Sequence, residues 1–363
     1  MAPIGTPSNP CPNRTRVVRV NTSHWPQWDA FLESHPSSTV CHTSAWCMAI
    51  EATFPHIKNH FIALEDTESH QIIAALPLYH LHSWLTGNRL VCVPFASWCD
   101  PLVQNAEDLQ TLLNSVTEAH SPRQPKLEIR CRHSTHLAQQ IPLHPASSCL
   151  HHTIPLNRSK DEIWQAISRT GIRRRIKQAD LTGVLVQRST SPDDLSLFHQ
   201  MLSSTRHRMG LPRIPLKLFT SLQKYLGPKR LTVFVAYSEN QPVASVFTTW
   251  NQNTFNLDYL GEAAPDIPAG TSQLLYWKAL ELAIEQGCQE FSFGRTDPSQ
   301  TGLAEYKLRW GATAETLTDL QSRPHPNPTS SPQGPGKNLV RAILRQLPAP
   351  FYNLAGNFFY RHR

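Results

Sequence analysis

With 363 residues the chain is long enough for two domains at about 150 residues each. Its 34 Lys and Arg against 27 Asp and Glu leave a formal net charge of +7, which suits phosphate, RNA or a lipid surface without choosing among them. No window reaches the ~18 apolar residues of a membrane span, the N-terminus lacks an apolar targeting core, and the eight cysteines include no C-x-x-C pair. Reduced core thiols and a cytoplasmic location are therefore expected.

In chain order, residues 1–14 form a Pro-rich leader expected to be disordered. Strand patterns follow in "TRVVRV", "NHFIALED", "QIIAALPLYHL" and "RLVCVPF", separated by the helical spacing of "HWPQWDAFLES" and "SAWCMAIEATF". A strand at "KLEIRCR" and an extended "HHTIPL" complete an α/β unit over 15–155. A second unit, 156–321, opens with a helix start signalled by Ser159 and Glu162, a capping box, then a basic helix, and reaches a strand at "GVLVQRS". Helices at "PDDLSLFHQMLSSTRHRMG" and "PLKLFTSLQKYLG" lead into three strand runs parted by Glu-Asn and Asn-Gln-Asn turns, then a long helix at "GTSQLLYWKALELAIEQGC" and a strand at "EFSFGR". The shared order of elements in the two units suggests a duplicated α/β fold with mixed sheets.

Residues 322–336 read as a Pro/Ser/Gly linker. Residues 337–363 form a basic amphipathic tail, with Leu339, Val340, Ile343, Leu344 and Leu347 on one helical face. Such a tail can lie on an anionic membrane or dock on its own protein, and its short helix favours self-docking. Cys131, His133 and His136 come nearest to a metal pattern, helped by Cys149, His151 or His152. Their spacing fits no standard zinc module, so no metal site is expected and the remaining histidines read as surface residues.

Together, "GIRRRIKQADLTGV", "STRHRMGLPRIPLKLF", "PVASVFTTW", "GTSQLLYWKALELAIEQGCQEFSFGRTD" and "GLAEYKLRWGA" resemble the Fem-type branch of the GNAT acyltransferases. That branch holds peptidoglycan bridge aminoacyltransferases and related proteins of exopolysaccharide and envelope clusters. In the first half, "HPSSTVCHTSAWCMAIEATF" and "IIAALPLYHLHSWLTGNRLVCVPF" look like the partial first GNAT unit of such proteins. The resemblance spans about residues 15–320. It implies two tandem GNAT-like domains and transfer of an acyl or aminoacyl group from charged tRNA or acyl-CoA, with no tightly bound cofactor, to an amine of a peptidoglycan or polysaccharide precursor. Two other readings stay open: a small-molecule acyl-CoA-dependent N-acetyltransferase, and a non-catalytic envelope-assembly or nucleic-acid-binding module. Oligomeric state is not legible.

Acyl transfer to an amine needs a deprotonated amine, a stabiliser for the oxyanion and a proton acceptor, but no covalent nucleophile. The chain accordingly has neither a G-x-S-x-G elbow nor a P-loop. Lys307 is the first candidate: an extended "YKLRW" would place Lys307 and Arg309 on one face, and the resemblance implies a catalytic lysine here. Arg295 and Asp297 follow a strand end at Gly294, where Arg295 could grip phosphate and Asp297 could move a proton or cap the next turn. Gly270, Thr271 and Ser272 open a helix where ordinary GNAT enzymes bind pyrophosphate, although the usual Q/R-x-x-G-x-G/A loop is absent. The resemblance further implies phosphate-binding roles for Arg173, Lys177 and Arg206, and a proton-handling acid at Asp100.

Overall fold

Switches of the apolar period between two and 3.6 separate strands from helices, and turn residues separate like elements. The computed structural model describes residues 14–85, 87–92, 94–117, 125–323 and 335–362. Its first half runs β1 (Thr15–Arg19), α1 (Trp25–Ser34), α2 (Ser44–Thr53), β2 (Ile57–Asn59), β3 (Ile62–Asp66), β4 (Ile72–Leu76), β5 (Leu78–Ser83), β6 (Gly87–Cys92), α3 (Ala106–Thr117), β7 (Lys126–Cys131), α4 (Thr135–Ala138) and β8 (His144–Pro155). The second half holds α5 (Lys160–Ala166), α6 (Arg174–Leu181), β9 (Leu185–Ser189), α7 (Pro192–Arg208), α8 (Leu216–Leu226), β10 (Leu231–Ser238), β11 (Gln241–Trp250) and β12 (Thr254–Glu262). It continues with α9 (Thr271–Glu285), β13 (Glu290–Thr296), α10 (Thr301–Leu308) and β14 (Thr313–Gln321), and the chain closes on α11 (Pro335–Gln346) and α12 (Ala349–His362). The leader to Asn13 and most of the linker lie outside the described residues.

Strands β1, β3 and β4 form a small sheet, and the other eleven join one mixed sheet in the order β2-β5-β6-β7-β14-β8-β13-β12-β11-β10-β9. That order splices the halves. β14 runs antiparallel between β7 and β8, and β8 pairs on its other edge with β13. The two apolar cores lie around α1–α3, α7 and α8, and around α5, α6 and α9. The Glu-Asn turn works as expected: Glu239 and Asn240, with φ of 50° and 61°, close β10 onto β11 in the left-handed geometry a two-residue hairpin requires. Ser159 and Glu162 cap α5 reciprocally, with Glu162 N–H donating to Ser159 Oγ at 3.2 Å and Ser159 N–H to Glu162 Oε2 at 2.8 Å.

Four expectations need correcting. "QIIAALPLYHL" is two strands, because Pro77 cannot donate to a ladder and parts β4 in the small sheet from β5 in the large one. Residues 306–308 are not extended but end α10, so Lys307 and Arg309 diverge: Lys307 and Trp310 turn inward while Arg309 is exposed. Over five residues an alternating pattern satisfies either period, and the inward i,i+3 pair decides for helix. Two elements were not foreseen: strand β14 carries few apolar residues, whereas α3 shows Leu109, Leu112, Leu113 and Val116 at helical spacing, a signal that was present. Nor are the histidines uniformly at the surface: His42, His151, His152 and His199 are buried. The seven described cysteines are free and buried.

The tail docks on the body. Tyr352 donates its hydroxyl to Leu211 O at 2.7 Å and stacks on His207, Gly356 lies against the Arg213 backbone, and Tyr360 packs on Phe54 and Phe95.

Candidate active site

β12 and β13 are parallel neighbours only over Thr254–Asn256 and Glu290–Ser292. Beyond that point they part, and each carries a bulge. On β12 the register with β11 steps from Tyr259 opposite Phe247 to Leu257 opposite Thr248, leaving Asp258 without a partner in the ladder. On β13 the register with β8 slips between Ser292 and Arg295, where Gly294 takes a φ of 67°. The opening between the strands is a cavity of about 540 Å³, walled by Asn256–Tyr259, Ser292–Arg295 and Asp297 of the second half. Ala96–Trp98, Arg130 and Ser147–Cys149 close it from the first half, and Arg206 with Tyr360 of α12 also lines it.

Asp258 is the carboxylate the bulge aims into this cavity. Burial lifts its pKa from 3.8 to about 7, only partly opposed by the hydroxyl of Thr249, which donates to Oδ2 at 2.7 Å. A carboxyl poised there is half ionised near neutrality, the condition for accepting a proton from an amine. Sequence reasoning missed it. The signal was present in "TFNLDYL", where Asn256 and Asp258 alternate with Phe255, Leu257 and Tyr259; a polar face on an interior strand needs a cavity to look into.

Lys307 stands behind the wall rather than in it. Its side chain reaches under the β13 bulge, and Nζ donates to Thr296 Oγ1 and Phe293 O at 2.8 Å and to Gly294 O and Arg295 O at 3.2 Å. An ammonium has three protons and here meets four acceptors, so none is spare for a ligand. Burial lowers its pKa to about 8, which keeps it mainly charged at neutral pH. Its role is positional: the bulge turns successive carbonyls out of the ladder, and the lysine satisfies them.

The other predicted residues scatter. Arg295 lines the cavity, but its guanidinium is held by Asp319 of β14 in a bidentate pair at 3.0 and 2.8 Å and also donates to Ser97 O. Ser147 donates to the same carboxylate. Despite burial, this pairing pushes Arg295 above and Asp319 below their usual ranges. Asp297 lies at the cavity edge with Oδ1 accepting from the Ser299 N–H and hydroxyl, the turn cap weighed as its other role. Arg206 reaches the cavity while donating to Pro212 O at 2.7 Å.

Asp100 does not reach the cavity. It is fully buried, with its carboxylate accepting from the backbone N–H groups of Arg132, His133 and Ser134 and from the Ser134 hydroxyl, so it folds the loop before α4. Arg173, Lys177 and Arg309 are also away from it: Arg173 packs over Trp164 and donates to Gln165, Lys177 is exposed, and Arg309 pairs loosely with Glu305. At the start of α9, Gly270 has no room for a side chain against the Arg175 backbone, and Thr271 donates to Pro268 O. Ser272 donates to Glu262, whose carboxylate sits where an anion bound at this helix start would meet it. No His, Cys, Asp and Glu cluster suited to a metal occurs among the described residues.

Residues 167–308 match the acetyltransferase (GNAT) domain family. No curated protein matches the chain by sequence. Among solved structures, FemX superposes with a TM-score of 0.67 at 13% identity, covering 85% of this chain and 97% of that one. The C-terminal domain of a putative lysylphosphatidylglycerol synthetase from Agrobacterium fabrum gives 0.54 at 12%, covering 90% and 97%. A tandem GNAT protein from the clavulanic acid biosynthesis pathway gives 0.53 at 12%, covering 85% and 97%. At these identities the likeness is one of fold.

Proposed function

The chain carries a GNAT acyltransferase domain within a Fem-like, tandem-GNAT fold, and from that premise we propose that it transfers an acyl or aminoacyl group to an amine of a cell-envelope precursor, with Asp258 as general base. The observation that carries this reading is the pairing of a bulge-borne carboxyl of pKa about 7 with a cavity open between diverging strands. The amine nitrogen attacks the acyl carbonyl carbon, a C–N bond forms, and the carbonyl electron pair moves onto oxygen. Asp258 takes the proton the nitrogen sheds and hands it to the departing carrier as collapse restores the carbonyl and breaks the bond to it, so the carrier leaves as thiol or hydroxyl and the carboxylate is regenerated. In this reading the oxyanion takes its hydrogen bond from the backbone of β12, where the bulge leaves Asp258 out of the ladder. Lys307 and the Arg295–Asp319 pair hold the opposite wall.

Glu262 at the start of α9 weighs against seating a pyrophosphate there, and so favours a charged-tRNA donor over coenzyme A. The envelope acceptor rests on the sequence resemblance. The test offers the full chain acyl-CoAs or aminoacyl-tRNA together with a nucleotide-linked peptidoglycan peptide bearing a free amine, and weighs the acceptor by mass spectrometry. A mass gain equal to one aminoacyl or acyl unit, lost in Asp258→Asn, is expected. Retained binding without transfer from either donor would establish the non-catalytic reading instead.

A further inference from the structure

Helix α12 is apolar on two sides. Its inner side, Tyr352, Gly356 and Tyr360, covers the protein; its outer side, Phe351, Leu354 and Phe358, is 60%, 64% and 54% exposed. Helical spacing puts these three on one face. Nearby, the turn between β5 and β6 presents Trp84, 77% exposed, and Leu85. Trp84 meets His362 edge-on at 5.2 Å and His362 meets Phe358 at 4.8 Å, so strand turn and helix share one aromatic seam. α11 repeats the inversion: it anchors through Leu344 and leaves Leu339, Val340 and Ile343 outward. An exposed apolar surface of this kind on a folded chain marks an interaction site.

Charge selects the occupant. Residues 335–363 contain Lys337, Arg341, Arg345, Arg361 and Arg363 and no Asp or Glu. On the flank of α12, a second cavity of about 430 Å³ counts Lys217 and Arg361 among its lining residues. A second copy of this chain would bring like charges together, and the aliphatic residues match no feature of a nucleic acid. No helix among the described residues is long and apolar enough to cross a membrane. We propose that this face seats the protein on an anionic phospholipid bilayer, with Trp84, Phe351, Leu354 and Phe358 in the interface and the cationic cavity taking a headgroup phosphate.

The full chain is sedimented with phosphatidylcholine vesicles with and without phosphatidylglycerol, and its oligomeric state is measured by light scattering. Binding to the anionic vesicles is expected, about tenfold weaker on pure phosphatidylcholine, and about tenfold or more weaker for L354E/F358E at an unchanged melting midpoint. Should that variant unfold, W84A/L85S, which leaves α12 intact, carries the same expectation of weakened binding. Absence of binding to any vesicle, equal binding to neutral vesicles, or unaltered binding by folded variants overturns the proposal. So does a wild-type dimer that the substitutions dissolve. The readout needs no turnover, so it stands or falls separately from the acyl-transfer reading.

Discussion

Replacing Asp258 with Asn should make the protein more stable and its chemistry slower. The amide keeps an acceptor for the Thr249 hydroxyl and nearly the same shape, so the change isolates the charge. A carboxyl whose pKa rises from 3.8 to about 7 binds its proton more tightly in the folded than in the unfolded chain. Its ionisation therefore costs stability progressively between those pH values, with the full cost present above about 7. At ~1.4 kcal/mol per pH unit the upper bound is about 4 kcal/mol at pH 8 and under about 2 kcal/mol at pH 5. Water in the cavity screens part of this, so we expect Asp258→Asn to gain about 2 kcal/mol at pH 8 and well under half of that at pH 5, measured by urea unfolding. In the transfer assay kcat should fall about 10²- to 10⁴-fold, and the wild-type rise in rate through pH ~7 should disappear. If the variant is no more stable than wild type at pH 8, the carboxyl is comfortably ionised and the argument for a tuned base is wrong.

Lys307→Met leaves three carbonyls and a hydroxyl under the β13 bulge without their donor, and a loss of about 3 kcal/mol in denaturant unfolding is expected; a change within ~0.5 kcal/mol would mean the lysine is not structural. Arg295→Ala strands Asp319 in the cavity wall and should cost about 3 kcal/mol. Asp319→Ala in that background should then cost less than it does alone, and strictly additive effects in the double-mutant cycle would rule out the pair. A Cβ on Gly356 would sit 2.6 Å from the Arg213 carbonyl oxygen, so Gly356→Val should lift α12 and speed tryptic cleavage at Arg345 about tenfold; unchanged cleavage would show that the docked helix tolerates the bulk.

What could be read from the sequence was what depends on near neighbours. The hairpins of β10–β12, the capping box of α5 and the long α9 all follow from local period and turn chemistry. Arg295 and Asp297 were placed at a strand end, and that strand end borders the cavity. What escaped depends on distant partners. β14 buries only Leu317 and Leu320, because a strand flanked on both edges is held by ladders rather than by its own apolar face. Without β14, Asp319 could not be foreseen as the partner of Arg295. Asp100 looked like an acid before a proline; its four donors come from residues 132–134. Buried histidines follow the same rule: His42 reaches the carbonyl of Asp100, and His199 that of Ile214.

The splice of β14 between β7 and β8 has a bearing on how the molecule is made. Residues 126–131 and 144–155 leave the ribosome more than 150 residues ahead of the strand that must come between them. Until residue 321 has emerged, the eleven-stranded sheet has a gap at its centre with two unpaired edges, each able to pair with another nascent chain. The last step of sheet assembly therefore waits for residue 321 and is slowed by long loop closure, and neither half, expressed alone, has the strands to complete its sheet.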